Sequence, residues 1–356
     1  MAITTSPIAV ERVKHSRLNE VDFTNLGFGS VISDHMLMAD YKNGSWGEPK
    51  VVPYGELSMT PAILALHYGQ AIFEGMKAFK MKDGSISIFR VQRHHQRMLK
   101  SLERMCMPTL SEELFTSSLH AIVETDQQWV PDQEGHSLYI RPLVFASESK
   151  LGVKISDQYK FIIMTSPVGP YFAKPIRVKV EETYVRAAEG GTGFAKCAGN
   201  YGGAFYPTQL AREQGFDQVL WTDARDHQFI DESGAMNVMF VLNGKLVTPK
   251  LTSAILDGVT RNSILTLANE LGMPAEERKV SLDELIEGFK SGTLTEAFGA
   301  GTAAVVSQIA VINIHGTDYQ LPAADATSFQ QRVKQKLSNL RVGLEPDTYG
   351  WNYIIK

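Results

Sequence analysis

The chain has little cysteine: two residues in 356, Cys106 and Cys197, far apart. That excludes a disulfide framework and a cysteine-built zinc site, and it fits a reducing cytoplasm. Basic charge is not in excess. Lys and Arg number 35 against 39 Asp and Glu, a net charge of −4. Neither a nucleic-acid footprint nor a polybasic membrane anchor is expected from that balance. Long hydrophobic runs are missing as well. The longest uncharged stretch, Ala297 to Ile314, has 18 residues and is interrupted by Gly299, Gly301, Thr302, Ser307, Gln308 and Asn313. It reads as buried sheet or loop rather than a membrane span. The N-terminus lacks an apolar core and carries Glu11, so no secretory signal or transit peptide is expected.

What is present suits an ordinary globular protein of about two domains. Hydrophobic residues make up 44% and charged residues 21%, enough for a sizeable core. Two hairpins are legible. Met76–Met81 turns at Asp83-Gly84 into Ser85–Phe89, and Met236–Leu242 turns at Asn243-Gly244 into Lys245–Val247. Met98, Leu99, Leu102, Met105 and Cys106 recur at helical spacing before Pro108, and further helices fit 112–125, 261–271, 282–290 and 329–340. Strands are expected at Phe161–Met164 and around Ile176, Val178 and Val180. Three prolines and a glycine between Pro167 and Pro175 mark a linker. The expectation is an α+β protein: a small N-terminal domain over 1–168, a linker over 169–176, and a larger C-terminal domain over 177–356.

The densest chemical signal is the stretch from Gly190 to Gly203, in which Lys196 is the one lysine. Ala195 and Cys197 flank it, so the Gly-Lys-Ser/Thr of a nucleotide-binding loop is not met. A lysine among glycines is either a solvated loop residue or an amine nucleophile toward aldehydes. The second reading leads to pyridoxal phosphate, which also needs phosphate ligands and a carboxylate at its ring nitrogen. Asp257–Thr260 before a helix, the glycine turn Phe298–Ala303, and Glu232 ahead of a hydrophobic strand are candidates. Each alone has an ordinary structural explanation. The competing match is Gly299-Ala300-Gly301-Thr302-Ala303-Ala304, a Gly-x-Gly-x-x-Ala pattern followed by Asp318. Only 52 residues follow Ala304, too few for a dinucleotide domain, and no helix pattern begins at Thr302.

Taken together, motifs over nearly the whole chain resemble the branched-chain amino acid aminotransferases of pyridoxal-phosphate fold type IV. They are Phe28-Gly29, Asp34–Met38, Phe73–Phe79, His94–Met98, Ser137–Pro142, Pro167–Phe172, Lys196–Gly203, Glu232–Asn237, Gly258–Arg261 and Phe298–Ala303. Their spacing is that of the longer subclass, which includes the animal enzymes. The resemblance implies a small α/β domain, a larger mixed, barrel-like domain, and an active site between them. Lys196 would bond covalently to pyridoxal phosphate and shuttle a proton. Arg97, Val259, Thr260 and Thr302 would bind the phosphate. Tyr201 would bond the phenolic oxygen, and Glu232 would hold the ring nitrogen. Phe28, Tyr68, Tyr139 and Tyr171 would wall an apolar pocket. Tyr68, Tyr139, Arg141 and the Thr302-Ala303 turn would orient the substrate carboxylate. The implied reaction is ping-pong transfer between Leu, Ile or Val and 2-oxoglutarate, in a cytoplasmic homodimer without metal. A D-amino acid aminotransferase or an aminodeoxychorismate lyase of the same fold is the alternative, and a non-catalytic binding module a more distant one. Two departures stand out: Ala304 and Ser307 occupy the positions of the animal enzymes' cysteine pair, and Ala235 replaces a threonine.

Overall fold

The structure is a computed structural model and describes residues 8–172 and 174–356. The expectations for the first seven residues and for Ala173 in the linker lie outside it. Two compact units are present: Met1–Tyr171 with Leu340–Lys356, and Phe172–Asn339. The division falls inside the expected linker. The expected C-terminal domain, however, included 340–356, which belongs with the first unit because strand Asn352–Ile355 pairs antiparallel with Ile86–Phe89.

The first unit runs β1 (Ala9–Val10), β2 (His35–Lys42), β3 (Ser45–Trp46), β4 (Lys50–Pro53), α1 (Leu64–Tyr68), β5 (Ala71–Phe73), β6 (Met76–Lys80), β7 (Ile86–Phe89), α2 (Val91–Arg104), α3 (Glu112–Thr125), β8 (Ser137–Ala146) and β9 (Tyr159–Val168). Its sheet has the order β1-β4-β2-β9-β8-β6-β7, with the C-terminal strand beyond β7, β3 on β2 and β5 on β8. The β6–β7 turn holds Gly84 at φ +88°, the conformation that Asp-Gly predicts. Helix α2 presents Val91, Met98 and Leu102 to the core and ends at Arg104, so of the residues read as one helical stripe Met105 and Cys106 lie beyond it, Cys106 at φ +52°. Helix α3 starts where Ser111 accepts a hydrogen bond from the Leu114 amide at 3.1 Å.

The second unit runs β10 (Ile176–Glu181), α4 (Gly199–Gly202), α5 (Phe205–Glu213), β11 (Gln218–Thr222), β12 (Ile230–Ser233), β13 (Asn237–Leu242), β14 (Lys245–Pro249), α6 (Val259–Glu270), β15 (Ala275–Arg278), α7 (Leu282–Ser291), β16 (Leu294–Gly301), β17 (Val305–Ile314), β18 (Thr317–Gln320) and α8 (Phe329–Val342), whose last residues belong to the first unit. Its sheet order is β12-β11-β10-β17-β16-β13-β14-β15, with β18 on β17. Strand β13 is buried along its whole length, as a central strand covered on both faces must be. The β13–β14 turn puts Asn243 and Gly244 at φ +51° and +71°. The core gathers Val178, Val180, Leu220, Val238, Phe240, Leu285, Ala297, Ile309 and Ile312.

The uncharged stretch 297–314 is the β16–β17 hairpin. Among the described residues, no helix is long and apolar enough to cross a membrane. The Gly299–Ala304 pattern therefore turns from strand into antiparallel strand rather than into a helix. This removes the geometry a dinucleotide phosphate would need. Leu220 is fully buried in β11. Leu220→Ala is expected to cost about 2–5 kcal/mol in urea unfolding of this unit.

Candidate active site

The cofactor-side residues expected from sequence lie in the second unit, Arg97 excepted. Lys196 lies on an irregular stretch that ends in the short helix α4, and its Nζ donates to the Tyr201 hydroxyl at 2.7 Å. Asn200 closes this loop. Its Nδ2 donates to the Thr192 and Ala195 carbonyls at 2.8 and 2.9 Å, and Thr192 donates to its Oδ1 at 2.7 Å. Gly193 permits the close approach beneath. A Cβ there would lie 2.4 Å from the Ala254 carbonyl oxygen and 2.6 Å from the Ala187 Cβ. Phe194 N also donates to Ser253 O at 3.0 Å, so the lysine loop is bonded to the segment leading into α6.

Glu232 sits on β12, 3% exposed. Its Oε1 accepts from the Leu256 amide at 2.6 Å and lies 3.3 Å from Arg186 Nη2. Burial raises its pKa; the positive field of Arg186, the Leu256 bond, and the charges of Lys196 and Arg261 oppose that rise. Its neighbour Asp231 is pushed up from 3.8 to about 7, first by burial and then by the Glu232 charge.

Val259 and Thr260 open the twelve-residue helix α6, and no side chain caps its first turn. The first amides of a helix have no intrahelical partner and favour an anion. The Thr302-Ala303 turn joins β16 to β17, where Val305 is held at φ +60°, a strained conformation for a β-branched residue. Met236, just beyond Ser233, packs against the backbone of Gly299 and Gly301 at the base of that turn. A lysine hydrogen-bonded to a phenol, a buried acid and a helix start without a side-chain cap are the kinds of group that pyridoxal phosphate requires.

Arg97 belongs to the first unit, on α2, and is 6% exposed. Its Nε and Nη2 donate to the two oxygens of Glu74 at 2.7 and 2.8 Å. His94 Nδ1 lies 2.8 Å from the same carboxylate, and Gly75 N donates to it at 3.1 Å. Burial acts to raise the Glu74 pKa, but the charge and bonds of Arg97 outweigh it and hold it far below the usual range. The guanidinium is thus locked in place by a carboxylate that the sequence analysis did not assign.

The substrate-side residues form one cluster and one outlier. Phe28 packs edge-on against Tyr139 and Tyr171, with ring centroids 4.8 and 5.0 Å apart. Arg141 Nη2 donates to the Tyr139 hydroxyl at 2.9 Å, and its guanidinium lies 4.5 Å from the Phe73 ring centroid. The Arg141 Nε is buried without a hydrogen-bond partner. Phe28 and Tyr171 leave ring surface exposed. Tyr68 stands apart at the end of α1, where its hydroxyl donates to the Leu151 carbonyl. Among the described residues it makes no ring contact with the other three. Ala304 and Ser307 adjoin, the serine hydroxyl reaching the Ala304 carbonyl at 3.5 Å. Ala235 is exposed.

Arg186 was missed by sequence reasoning. Its Nη2 donates to the carbonyls of Gly193 and Ala254 and faces Glu232, so one side chain joins the lysine loop, the α6 approach and the buried acid. Asn200 was inside the quoted motif, yet its bracing role needs the loop's geometry to be seen.

Amino-transferase class IV is the family that matches, over residues 71–312. Branched-chain-amino-acid transaminase 1 of Bacillus subtilis is 43% identical over 335 residues, covering 93% of this chain and 94% of that one. The Escherichia coli branched-chain amino acid aminotransferase structure aligns with a TM-score of 0.74 at 26% identity, covering 90% of this chain and 98% of that one. A Thermobaculum terrenum branched-chain aminotransferase solved in its PLP form shares the fold at 22% identity, with a TM-score of 0.73 over 91% of this chain and 98% of that one.

Two tests follow from the geometry. In Gly75→Ala the new Cβ would lie 2.0 Å from the Tyr139 hydroxyl. Overpacking of that kind costs about 1–3 kcal/mol in chemical denaturation, and it displaces the tyrosine that Arg141 holds. The second test concerns Asp231. Because its folded pKa is raised, the native state binds the proton more tightly than the unfolded chain. Its contribution to stability is therefore most favourable below pH 4 and is lost as pH rises toward about 7. Asp231→Asn should gain stability relative to the cofactor-free parent between pH 4 and 8, and thermal melts across that range check it. The full-length relatives and the class IV match show that the chain belongs to the branched-chain group of class IV aminotransferases.

Proposed function

We propose that the protein transfers the amino group between L-leucine, L-isoleucine or L-valine and 2-oxoglutarate, using pyridoxal phosphate. The observation that carries this reading is the Lys196–Tyr201 pair placed in the field of the buried Glu232. The full-length identity to a branched-chain transaminase supports the choice of substrate. When bound, the cofactor supplies an aldehyde that accepts the amino group and a ring that withdraws electrons from the α-carbon.

The chain's own residues then have distinct tasks. The Lys196 amine is the nucleophile and moves the proton at the substrate α-carbon. The Tyr201 hydroxyl holds the phenolic oxygen, and the Glu232 carboxylate keeps a ring-nitrogen proton in place. The amides of Val259 and Thr260 and the Thr302 turn are offered to the phosphate, and the part of Arg97 rests on the resemblance alone. Tyr139 and Arg141 offer polar groups to the substrate carboxylate, and the parts of Tyr68 and Ala303 rest on the resemblance alone. Phe28, Tyr139 and Tyr171 offer an apolar wall to a branched side chain; the part of Tyr68, which stands apart from them, rests on the resemblance alone. The same space must take the second carboxylate of 2-oxoglutarate, and tyrosine hydroxyls with Arg141 are suitable partners. The reading includes a cytoplasmic homodimer, which rests on the resemblance.

A spectrophotometric half-reaction with each amino acid tests the assignment. L-leucine, L-isoleucine and L-valine should discharge the cofactor's absorbance, and D-alanine should not. A reversed order would favour the D-amino acid alternative. Lys196→Ala should slow the half-reaction by about 10²–10⁴-fold.

A further inference from the structure

Phe28 lies on none of the first unit's helices or strands. Tyr139 is fixed on β8, and Tyr171 closely follows the end of β9. Between β1 and β2 the chain has only the single 3-10 turn Leu18–Glu20. Phe28 therefore sits on a long loop, and a ring on such a loop needs tethers to keep a defined place.

Those tethers converge at the loop's base. The Asp34 carboxylate accepts from Ser16 Oγ at 2.5 Å, from the Arg17 amide at 3.0 Å and from Trp129 Nε1 at 3.0 Å. Arg17 answers with its guanidinium, donating to the Ile32 and Ser33 carbonyls at 3.0 and 2.8 Å. The loop over 18–32 is thus pinned shut where it begins and ends. His35 adds a second tie: its Nε2 accepts from the Val13 amide at 3.0 Å, while its Nδ1 bonds Asp126 at 2.6 Å. Asp34, His35 and Asp126 are all buried. Near the loop's tip, Gly29 takes φ +71°, which turns the chain directly after Phe28. Among the described residues, no hydrogen bond of Asp34 or His35 goes to the wall itself, so these residues act through the loop.

We infer that Asp34 and His35 are positioning residues: they set the place of Phe28, and through it the width of the apolar wall that distinguishes a branched side chain from glutamate. The inference rests on the aminotransferase reading for its substrates, but its structural half stands apart from that reading. A buried carboxylate holding three donors is a stiff anchor, because each lost bond leaves a group without water. A shift at the base moves the tip, where the Phe28 ring meets Tyr139 and Tyr171.

The test uses the holoenzyme and three variants: Ser16→Ala, which removes one bond, Asp34→Asn, and Phe28→Ala as reference. Amide exchange over residues 26–31 should quicken roughly tenfold or more in the first two. In the half-reaction the apparent dissociation constant for L-leucine should rise roughly three- to tenfold, with the limiting rate and the constant for L-glutamate moving less than about twofold. Adding Ser16→Ala to Phe28→Ala should weaken leucine no further, because both act through one ring. Unchanged exchange, equal weakening of leucine and glutamate, or additive effects would overturn the inference. Should the parent protein not react with L-leucine, the functional reading fails, and the exchange measurement still decides the positioning claim.

Discussion

The second unit depends on keeping one carboxylate where water does not reach it. An isolated buried acid either protonates or carries a penalty of several kcal/mol, so its surroundings must be built around it. For Glu232 the surroundings are the Leu256 amide, the Arg186 guanidinium, and the more distant charges of Lys196 and Arg261. These come from three separate stretches of chain, around 186, 196 and 256–261. Arg186 also bonds the Gly193 and Ala254 carbonyls, so the partner that steadies the acid also steadies the loop that carries the lysine. Burial still wins, and the pKa stays raised. The site is incomplete in charge and suits a ligand that brings a protonated nitrogen.

The first unit solves a parallel problem differently. Glu74 is fully paired, by Arg97 and His94, and its pKa is held low. That pair fixes the backbone at Gly75, whose missing side chain leaves room for the Tyr139 hydroxyl. Arg141 then binds that hydroxyl and stacks on Phe73. A cation is thereby mounted among aromatic rings, with its Nε left unpartnered. An apolar wall with one cation is the chemistry needed to accept a hydrocarbon side chain and a carboxylate in turn.

Much of this was legible before the fold. Both hairpins announce themselves through Asp83-Gly84 and Asn243-Gly244, because tight turns need positive φ. Helix 112–125 is expected from the sequence, and the structure adds its Ser111 cap. Lys196 stands out because a lysine among glycines is unusual, and Glu232 because it precedes an apolar strand. What escaped was long-range. Arg186 looks like any exposed arginine in the sequence, since its partners are carbonyls and a carboxylate up to 68 residues away. Glu74 was quoted only as part of a motif, because its partners are 20 and 23 residues off. The return of Asn352–Ile355 to the first unit could not be read either, since strand pairing partners carry no local signal. The Gly299–Ala304 pattern is discounted in the sequence because no helix pattern follows it, and the hairpin agrees. Its glycines serve contact with Met236 inside a hairpin, and spacing alone does not reveal that.

The account stands or falls on the amine at Lys196. Borohydride reduction of the holoenzyme, followed by peptide mass mapping, reads it directly. The account predicts a single pyridoxyl adduct on the peptide containing Lys196, with the visible absorbance bleached in step. An adduct on another lysine, or none in a protein that still transaminates L-leucine, would contradict it.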